Sequence, residues 1–425
     1  MENLNIHTST RPAVGLRMDL RVAARKPRKL GFTMARSKDQ FLVFGAPLIG
    51  EAEIGEVVAS MKSGWLGTGP KVMRFQQDFA SYRNAPHAVA VNSCTAALHL
   101  SMVASRLKPG DEVITTPLTF CATVNAIIHA GATPVLADVD PRTMNIDPEQ
   151  VRLAITPRTK AIIPVHFAGR PCEMDALCAI AEEHELILIE DCAHALETEY
   201  KGRSAGLFGQ YGCFSFYVTK NITTAEGGMV LTRDAEMAQR IRTLALHGMS
   251  HDAWKRFSDE GYSHYYVVEA GFKYNMTDLQ AAIGIHQLGK VTEFWNRREQ
   301  LWQFYKRALA DLPISLPEDP AKDTVHGYHL YTILIDEKEA GVSRDAFLSA
   351  MNARNIGTGV HYLSIPEHPL YQERFGWRPE AYPNAQRIGR QTVSLPLSQR
   401  LTDADAQDVV DAVRDILQGG RAESR

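Results

Sequence analysis

Phe214-Ser215-Phe216-Tyr217-Val218-Thr219-Lys220-Asn221-Ile222-Thr223-Thr224-Ala225-Glu226-Gly227-Gly228 sets one lysine between an apolar aromatic run and a turn that ends in paired glycines. No charged residue occurs from Tyr211 to Thr219, so Lys220 lacks the charged neighbours of an ordinary surface lysine. Loss of hydration lowers a lysine pKa. A neutral amine can attack an aldehyde and form a Schiff base. Taken alone, the stretch reads equally as a strand-end lysine that snorkels to water.

Upstream of it, short apolar segments alternate with helical ones. Strands are expected over 87–92, 112–116, 134–138, 161–167 and 186–190. Helices are expected over 95–104, 123–130 with Gly131 as C-cap, 151–155 and 174–183. Two further strands, over 211–217 and 229–232, bracket Lys220. Near-continuous apolar strands in this rhythm predict an α/β fold, with a mostly parallel central sheet flanked by helices on both faces. Ligands of such sheets sit at the carboxyl ends of the strands.

Three of those ends carry chemistry. Asn92-Ser93-Cys94-Thr95-Ala96-Ala97 puts small and hydroxyl residues where a strand hands over to a helix. Backbone N–H groups and the helix dipole there suit a phosphate, although an ordinary Ser/Thr N-cap is the commoner use. Thr116-Pro117-Leu118-Thr119-Phe120 ends in an aromatic that can stack on a planar ligand or fill a core. Ile189-Glu190-Asp191-Cys192-Ala193-His194 ends an apolar strand in carboxylate. That is costly unless a donor or a cation pairs with it. A protonated heterocyclic nitrogen is one such partner, and a simple strand-end cap is the alternative. In this order, a phosphate nest, a stacking aromatic, a buried-edge aspartate and an apolar lysine are what pyridoxal phosphate (PLP) requires.

The rest of the chain bounds the answer. Its 425 residues suggest about two or three domains, and 45% hydrophobic residues supply a sizeable core. A net charge of −3 offers no global field for nucleic acid or an anionic membrane. No run approaches the roughly 18 apolar residues of a spanning helix. Six scattered cysteines without a CxxC pair read as reduced core thiols of a cytoplasmic protein, with no metal site. Residues 1–40 are basic and weakly periodic, and read as a disordered extension. Helices over 54–62, ended by Gly64, and over 72–83 flank the glycine-rich loop 63–70. A mobile loop is expected over 248–262, flanked by His247 and His251. Beyond the expected boundary near Val291, a helix over 291–310, a strand over 328–335, a helix over 344–354, a strand over 356–362 and a helix over 403–417 make a smaller α+β domain. The predicted organisation is therefore a large domain over 41–290, a small one over 291–418 and a disordered tail over 419–425.

The motifs "SGWLGTGPKV", "AVNSCTAALHL", "TPLTFCATVNAI", "IEDCAHALETEYKGR", "FSFYVTKNITTAEGGM", "GFKYNMTDLQAAIG" and "GTGVHY" occur in order. In them the sequence resembles the DegT/StrS sugar aminotransferases, PLP enzymes of the aspartate-aminotransferase fold (fold type I), from about Phe41 to Leu417. Within that family it is most similar to the branch that makes UDP-4-amino-4-deoxy-L-arabinose from UDP-4-keto-pentose. The resemblance implies that Lys220 forms the Schiff base with the cofactor and that Asp191 pairs with its pyridine nitrogen. It implies that Phe120 stacks on the ring, that Thr95, Ala96 and Ser215 hold the phosphate, and that His194 lies near the cofactor. Asn275 would reach a neighbour's phosphate across a homodimer interface. Cys94 departs from the glycine or alanine usual before the threonine.

By the same resemblance, L-glutamate donates the amino group and leaves as 2-oxoglutarate, and a nucleotide-linked keto-sugar accepts it in ping-pong fashion. Candidates to hold the sugar are His329, Tyr331, His361, Tyr362, Arg256 and the residues of 62–71. A nucleotide-linked 6-deoxy-keto-hexose or a keto-inositol is an alternative acceptor. Related dehydratases carry histidine where this chain has Lys220, and a regulatory protein that kept the fold would have no need of Lys220, Asp191 and Thr95 together.

Overall fold

The computed structural model describes residues 36–250 and 265–423. The basic stretch up to residue 35, His251, Arg256 and most of the expected 248–262 loop lie outside the described residues, as do residues 424–425.

The strands in chain order are β1 (His87–Val91), β2 (Glu112–Thr115), β3 (Thr133–Leu136), β4 (Thr159–Ile163), β5 (Ile187–Asp191), β6 (Glu199–Tyr200), β7 (Arg203–Ser204), β8 (Tyr211–Ser215), β9 (Gly228–Thr232), β10 (Thr324–Val325), β11 (Tyr331–Leu334) and β12 (Thr392–Leu395). Seven form the main sheet in the order β1-β9-β8-β5-β4-β2-β3. β9 runs antiparallel to both its neighbours, and the other pairings are parallel. The expected α/β fold with a mostly parallel sheet is therefore present.

Alternation along the strands explains why the sheet is covered twice. Tyr211 and Cys213 of β8, Val230 of β9 and Val89 and Val91 of β1 pack beneath helices Cys94–Ala104 and Ala235–Ala245. Phe214, Met229, Leu231, Ala88 and Ala90 face the other way, toward helices Pro70–Arg83 and Asp278–Leu288. Side chains two apart share a face in a strand, so each run fills both layers. On the second face Phe214 and Phe216 meet Phe79 at 5.2 and 5.4 Å between ring centres. Each buried phenylalanine contributes roughly 1.5–3 kcal/mol. The aromatic run before Lys220 thus anchors the strand that presents it.

A separate core forms around helix Val291–Ala308, β11, β12 and helices Arg344–Ala353 and Asp403–Glu423, with Trp302, Tyr305, Tyr331 and Phe347 fully buried. Here the sequence expectations need correcting. Residues 356–362 are not a strand. Ile356 and Gly359 make only single bridges, to Leu42 and Ser394. The place beside β11 is taken by β12, whose Val393 and Leu395 are fully buried. The helix expected over 123–130 is Cys121–His129, capped by Ala130, and Gly131 follows with φ 83°. Helices Ala235–Ala245, Asp278–Leu288, Pro369–Phe375 and Pro383–Gln391 were not expected from the sequence.

The described structure reaches past both expected bounds of the folded part. Arg36 bonds Asp405 at 3.2 Å and Asp408 at 2.8 Å, so residues 36–40 are held against the last helix and do not belong to a disordered extension. That helix continues to Glu423, six residues past Leu417. Among the described residues no helix is long and apolar enough to cross a membrane.

Candidate functional site

The neighbours β5 and β8 bring the two central residues together. Asp191 is the last residue of β5 and lies opposite Cys213 of β8, while Lys220 sits in the turn that follows β8. One strand further, Gly228 of β9 pairs with both Ser215 and Val91. Beyond Val91 the chain turns into helix Cys94–Ala104. The end of this strand row, the helix start and the lysine turn therefore share one end of the sheet.

The helix start is shaped to receive an anion. Ser93 caps it, its hydroxyl accepting from the Ala96 N–H at 3.1 Å. No hydrogen bond from the Cys94 or Thr95 amide occurs within the described residues, which leaves these donors for a ligand. Gly228 lies directly beneath, and a Cβ there would stand 2.5 Å from the Ser93 carbonyl carbon. Only glycine lets β9 pass this close to the helix start. Ser215 borders the same place, and its hydroxyl accepts from the Tyr217 N–H at 3.4 Å.

Asp191 is buried but not isolated. Its Oδ2 accepts from the Thr123 hydroxyl at 2.9 Å, and Oδ1 accepts from the Ala193 N–H at 3.1 Å. Thr119 Oγ1 lies 2.8 Å from Thr123 Oγ1 and steadies it. Burial pushes the Asp191 pKa up; the two hydrogen bonds and the nearby charge of Lys220 oppose this in part. A carboxylate in this position favours a protonated ring nitrogen beside it. Burial drives the Lys220 ammonium the opposite way, down to about 8, against the smaller pull of Cys94 and Asp191. A substantial share of the amine is therefore neutral near physiological pH. Phe120, at the N-cap of helix Cys121–His129, is 58% exposed, and its ring centre lies 5.9 Å from that of Tyr362. An exposed phenylalanine at a strand end offers a free face for a planar ring. The helix amides, Asp191, Lys220 and Phe120 together fit PLP.

His194 and Tyr362 close the other side. Tyr362 Oη lies 3.1 Å from His194 Nε2, and the rings stack at 6.1 Å. His329 leans over His194 at 4.3 Å. Burial holds both imidazoles well below the ordinary range. His361 bonds Ser394 Oγ through Nδ1 at 2.9 Å and is pushed down to about 3, first by burial and then by Lys220. His329, His361 and Tyr362 are thus brought to the lysine turn.

Tyr331 is not. It lies fully buried in the second core against Trp302 and Tyr305, 5.4 and 5.3 Å between ring centres. β11 begins only at Tyr331, and the backbone just before His329 is not extended, with Tyr328 at φ 45°, so strand alternation does not tie the two side chains to one face. Asn275 bridges to Val91 on the outer edge of β1, and its amide donates to the Thr68 hydroxyl at 2.7 Å. Within one chain it makes no described contact with Lys220 or Thr95. Thr68 lies in the glycine-rich loop, which the Asp278 carboxylate gathers by accepting from the Gly69, Lys71 and Val72 amides.

Sequence reasoning missed Thr123, Asn221, Glu190 and Glu197. Glu190 is fully buried and binds the Gly206, Phe208 and Gly209 amides and His166 Nε2. This explains how the strand tolerates a second carboxylate beside Asp191. The residue before Asp191 faces the opposite side of β5, which was the available signal.

Comparison with known proteins agrees with this geometry. The model of the DegT/DnrJ/EryC1/StrS aminotransferase family matches residues 47–414. The chain is 49% identical over 387 residues to the spore coat polysaccharide biosynthesis protein SpsC of Bacillus subtilis, covering 91% of this chain and all of that one. Spr1654 of Streptococcus pneumoniae, assigned as a sugar aminotransferase and solved in its PLP form, superposes with a TM-score of 0.83 at 31% identity, over 89% of this chain and 99% of that one. DesI, solved with its TDP-sugar product, gives 0.80 at 33% identity, over 91% and 95%. A family model that spans the globular chain, and a relative matched along its whole length, lead to one conclusion: this chain belongs to the DegT/DnrJ/EryC1/StrS aminotransferase family and is a sugar aminotransferase that works with pyridoxal phosphate.

Proposed function

We propose that the protein moves the amino group of L-glutamate to a nucleotide-linked keto-sugar, with residues 41–290 as the cofactor-binding domain and residues 291–418 as the smaller one. The observation that carries this reading is that Lys220, its amine lowered to about 8, and the buried Asp191 lie at one end of the sheet, close enough for each to feel the other's charge. When bound, PLP supplies an electron sink for the carbanion of the amino donor. The residues do the rest. The Cys94 and Thr95 amides with Ser215 hold the phosphate, Phe120 covers one ring face, and Asp191 keeps the ring nitrogen protonated. Lys220 Nζ would hold the cofactor through its aldehyde and, when free, would be placed to take the proton from the substrate Cα and to return it in the half-reaction of the keto-sugar. Tyr362 and His194, with His361 and His329 behind them, border the open side where the sugar enters.

We also propose a homodimer with shared sites. Ile54, Val58 and Met61 form an exposed apolar stripe along helix Glu51–Ser63, continued by Trp65, Leu66 and Met73. A stripe of this kind supports a covered face, and it adjoins the loop that holds Asn275. Mixing inactive Lys220→Ala and Asn275→Ala proteins should restore about a quarter of wild-type activity by random pairing. No recovery in mixed dimers would rule out the sharing.

The function is tested by the absorbance of the purified protein before and after L-glutamate. A yellow band that bleaches establishes donor and lysine together, and the bleached enzyme is then offered keto-sugars. UDP-4-keto-pentose comes first, on the strength of the motif resemblance. Nucleotide-linked 6-deoxy-keto-hexoses and keto-inositols follow. A protein that cannot be charged with PLP overturns the proposal.

A further inference from the structure

Behind Lys220 a line of buried polar side chains continues into the molecule. Asn221, the next residue, is 3% exposed. Its Nδ2 donates to Glu197 Oε2 at 2.6 Å and to the Gly327 carbonyl at 2.7 Å. A carbonyl can only accept, so this amide cannot be turned round. Its Oδ1 therefore faces His329 Nδ1, 2.9 Å away, and must accept from it. His329 is kept neutral, by burial first and then by the charges around it. It carries one proton, and Asn221 claims that proton for Nδ1. Nε2 is left bare, and it makes no hydrogen bond among those described.

The neighbouring ring is set the other way. His194 Nδ1 accepts the Ala168 N–H at 3.3 Å, so its proton is on Nε2 and points at the Tyr362 hydroxyl. Two imidazoles 4.3 Å apart therefore hold opposite tautomers.

Glu197 stands at the root of this arrangement and is expensive. It is buried, and Oε1 has no partner among the described residues. The charged groups that face it are Arg298 and Arg83. Neither donates a described hydrogen bond to it: Arg298 Nη1 bonds the Tyr328, His329 and Leu397 carbonyls, and Arg83 Nη2 those of Thr198 and Ala205. A buried carboxylate with half its acceptor capacity idle costs stability, and an apolar side chain would cost less. Among the described residues the one side chain that bonds it is Asn221.

We infer that Glu197 and Asn221 are positioning residues that fix His329 as its Nδ1–H tautomer and leave its Nε2 as an acceptor beside Lys220. This acceptor can receive an N–H or O–H of the amino donor or the sugar. The inference rests on Lys220 as the centre of the reaction, and it assigns the specificity of that centre for hydrogen-bond donors to residues that never touch the substrate.

Selective ¹⁵N-histidine labelling of the holoenzyme tests it directly, since a bare imidazole nitrogen resonates far downfield of a protonated one. The His329 signals are identified by their loss in His329→Gln. We expect a protonated Nδ1 and a bare Nε2 in the wild type. Mixed tautomers are expected in Asn221→Ala and Glu197→Ala, and the wild-type pattern in Glu197→Gln, which keeps the acceptor. Asn221→Ala should keep its yellow band and bleach with glutamate about tenfold more slowly, the worth of one buried hydrogen bond. A wild-type His329 protonated at Nε2 overturns the inference. So does an unchanged tautomer in Asn221→Ala or, if that variant does not fold, in Glu197→Ala. A colourless holoenzyme preparation would instead remove the Lys220 reading, whatever the histidine spectrum shows.

Discussion

The cofactor side of the site and its open side are built from different kinds of contact. On the cofactor side Asp191, Lys220, Ser215 and Thr95 each lie at or just beyond the end of a strand in one sheet. Sheet order alone brings them together. On the open side His329, His361 and Tyr362 come from the part of the chain after residue 291, and side-chain contacts, of His329 with Asn221 and of Tyr362 with His194 and Phe120, join that part to the site. A site made from strand ends is specified by local pattern, whereas one made from side-chain contacts across the molecule depends on packing that no short stretch encodes.

Removing the amine should show the largest effect and breaks the comparison most directly if it does not. Lys220→Ala is expected to abolish turnover while pyridoxamine phosphate still binds non-covalently, as read by amination assay and absorbance. Retained transamination would displace Lys220 from the centre. Asp191→Asn should lower the glutamate half-reaction about 10²–10³-fold with an unchanged circular dichroism spectrum. Near-normal rates there would mean that the carboxylate only caps β5.

The pH dependence of cofactor loading sharpens the same side. With the amine lowered to about 8, it is protonated and unreactive below that pH and neutral above it. The rate at which apo-protein takes up PLP should rise about 50-fold from about pH 6 to 8 and then level. A rise that continues toward the pKa of free lysine would contradict the buried setting.

Tyr362→Phe probes the open side by removing the hydroxyl that meets His194. It should cost about tenfold in the sugar half-reaction and leave the glutamate half-reaction nearly unchanged. Equal losses in both would move Tyr362 to the cofactor side. Tyr331→Phe is the smallest case. Its hydroxyl has no hydrogen-bond partner among the described residues, so kinetics should be unchanged and stability should shift by less than about 1 kcal/mol in thermal melts.

The same division explains what the sequence could tell. The βαβ rhythm, the isolated lysine and the carboxylate at a strand end were local signals, and the fold and the Lys220–Asp191 pair followed from them. The "YHLY" motif offered His329 and Tyr331 with equal claim, and only the packing of Tyr331 against Trp302 separates them. The stretch 356–362 alternates like a strand, yet β12 occupies the edge it would need. Glu197 looked like one more acidic residue, because nothing nearby in sequence reveals that Asn221 and Gly327 lie beside it. Arg36 reads as one of a run of basic residues until Asp405 and Asp408 are seen opposite.

β8 and β9 form a hairpin whose two ends, Ser215 and Gly228, pair with each other, and whose connecting turn carries Lys220. A cofactor tied to the turn and seated on the helix start above Gly228 would clasp this hairpin closed. Its occupancy is then also a matter of shelf life. Amide protons of β8 and β9 should exchange with solvent more slowly in the charged protein than in the stripped one, and the melting temperature should climb with cofactor concentration. An enzyme of this design is most vulnerable to proteolysis and heat while it waits to be loaded.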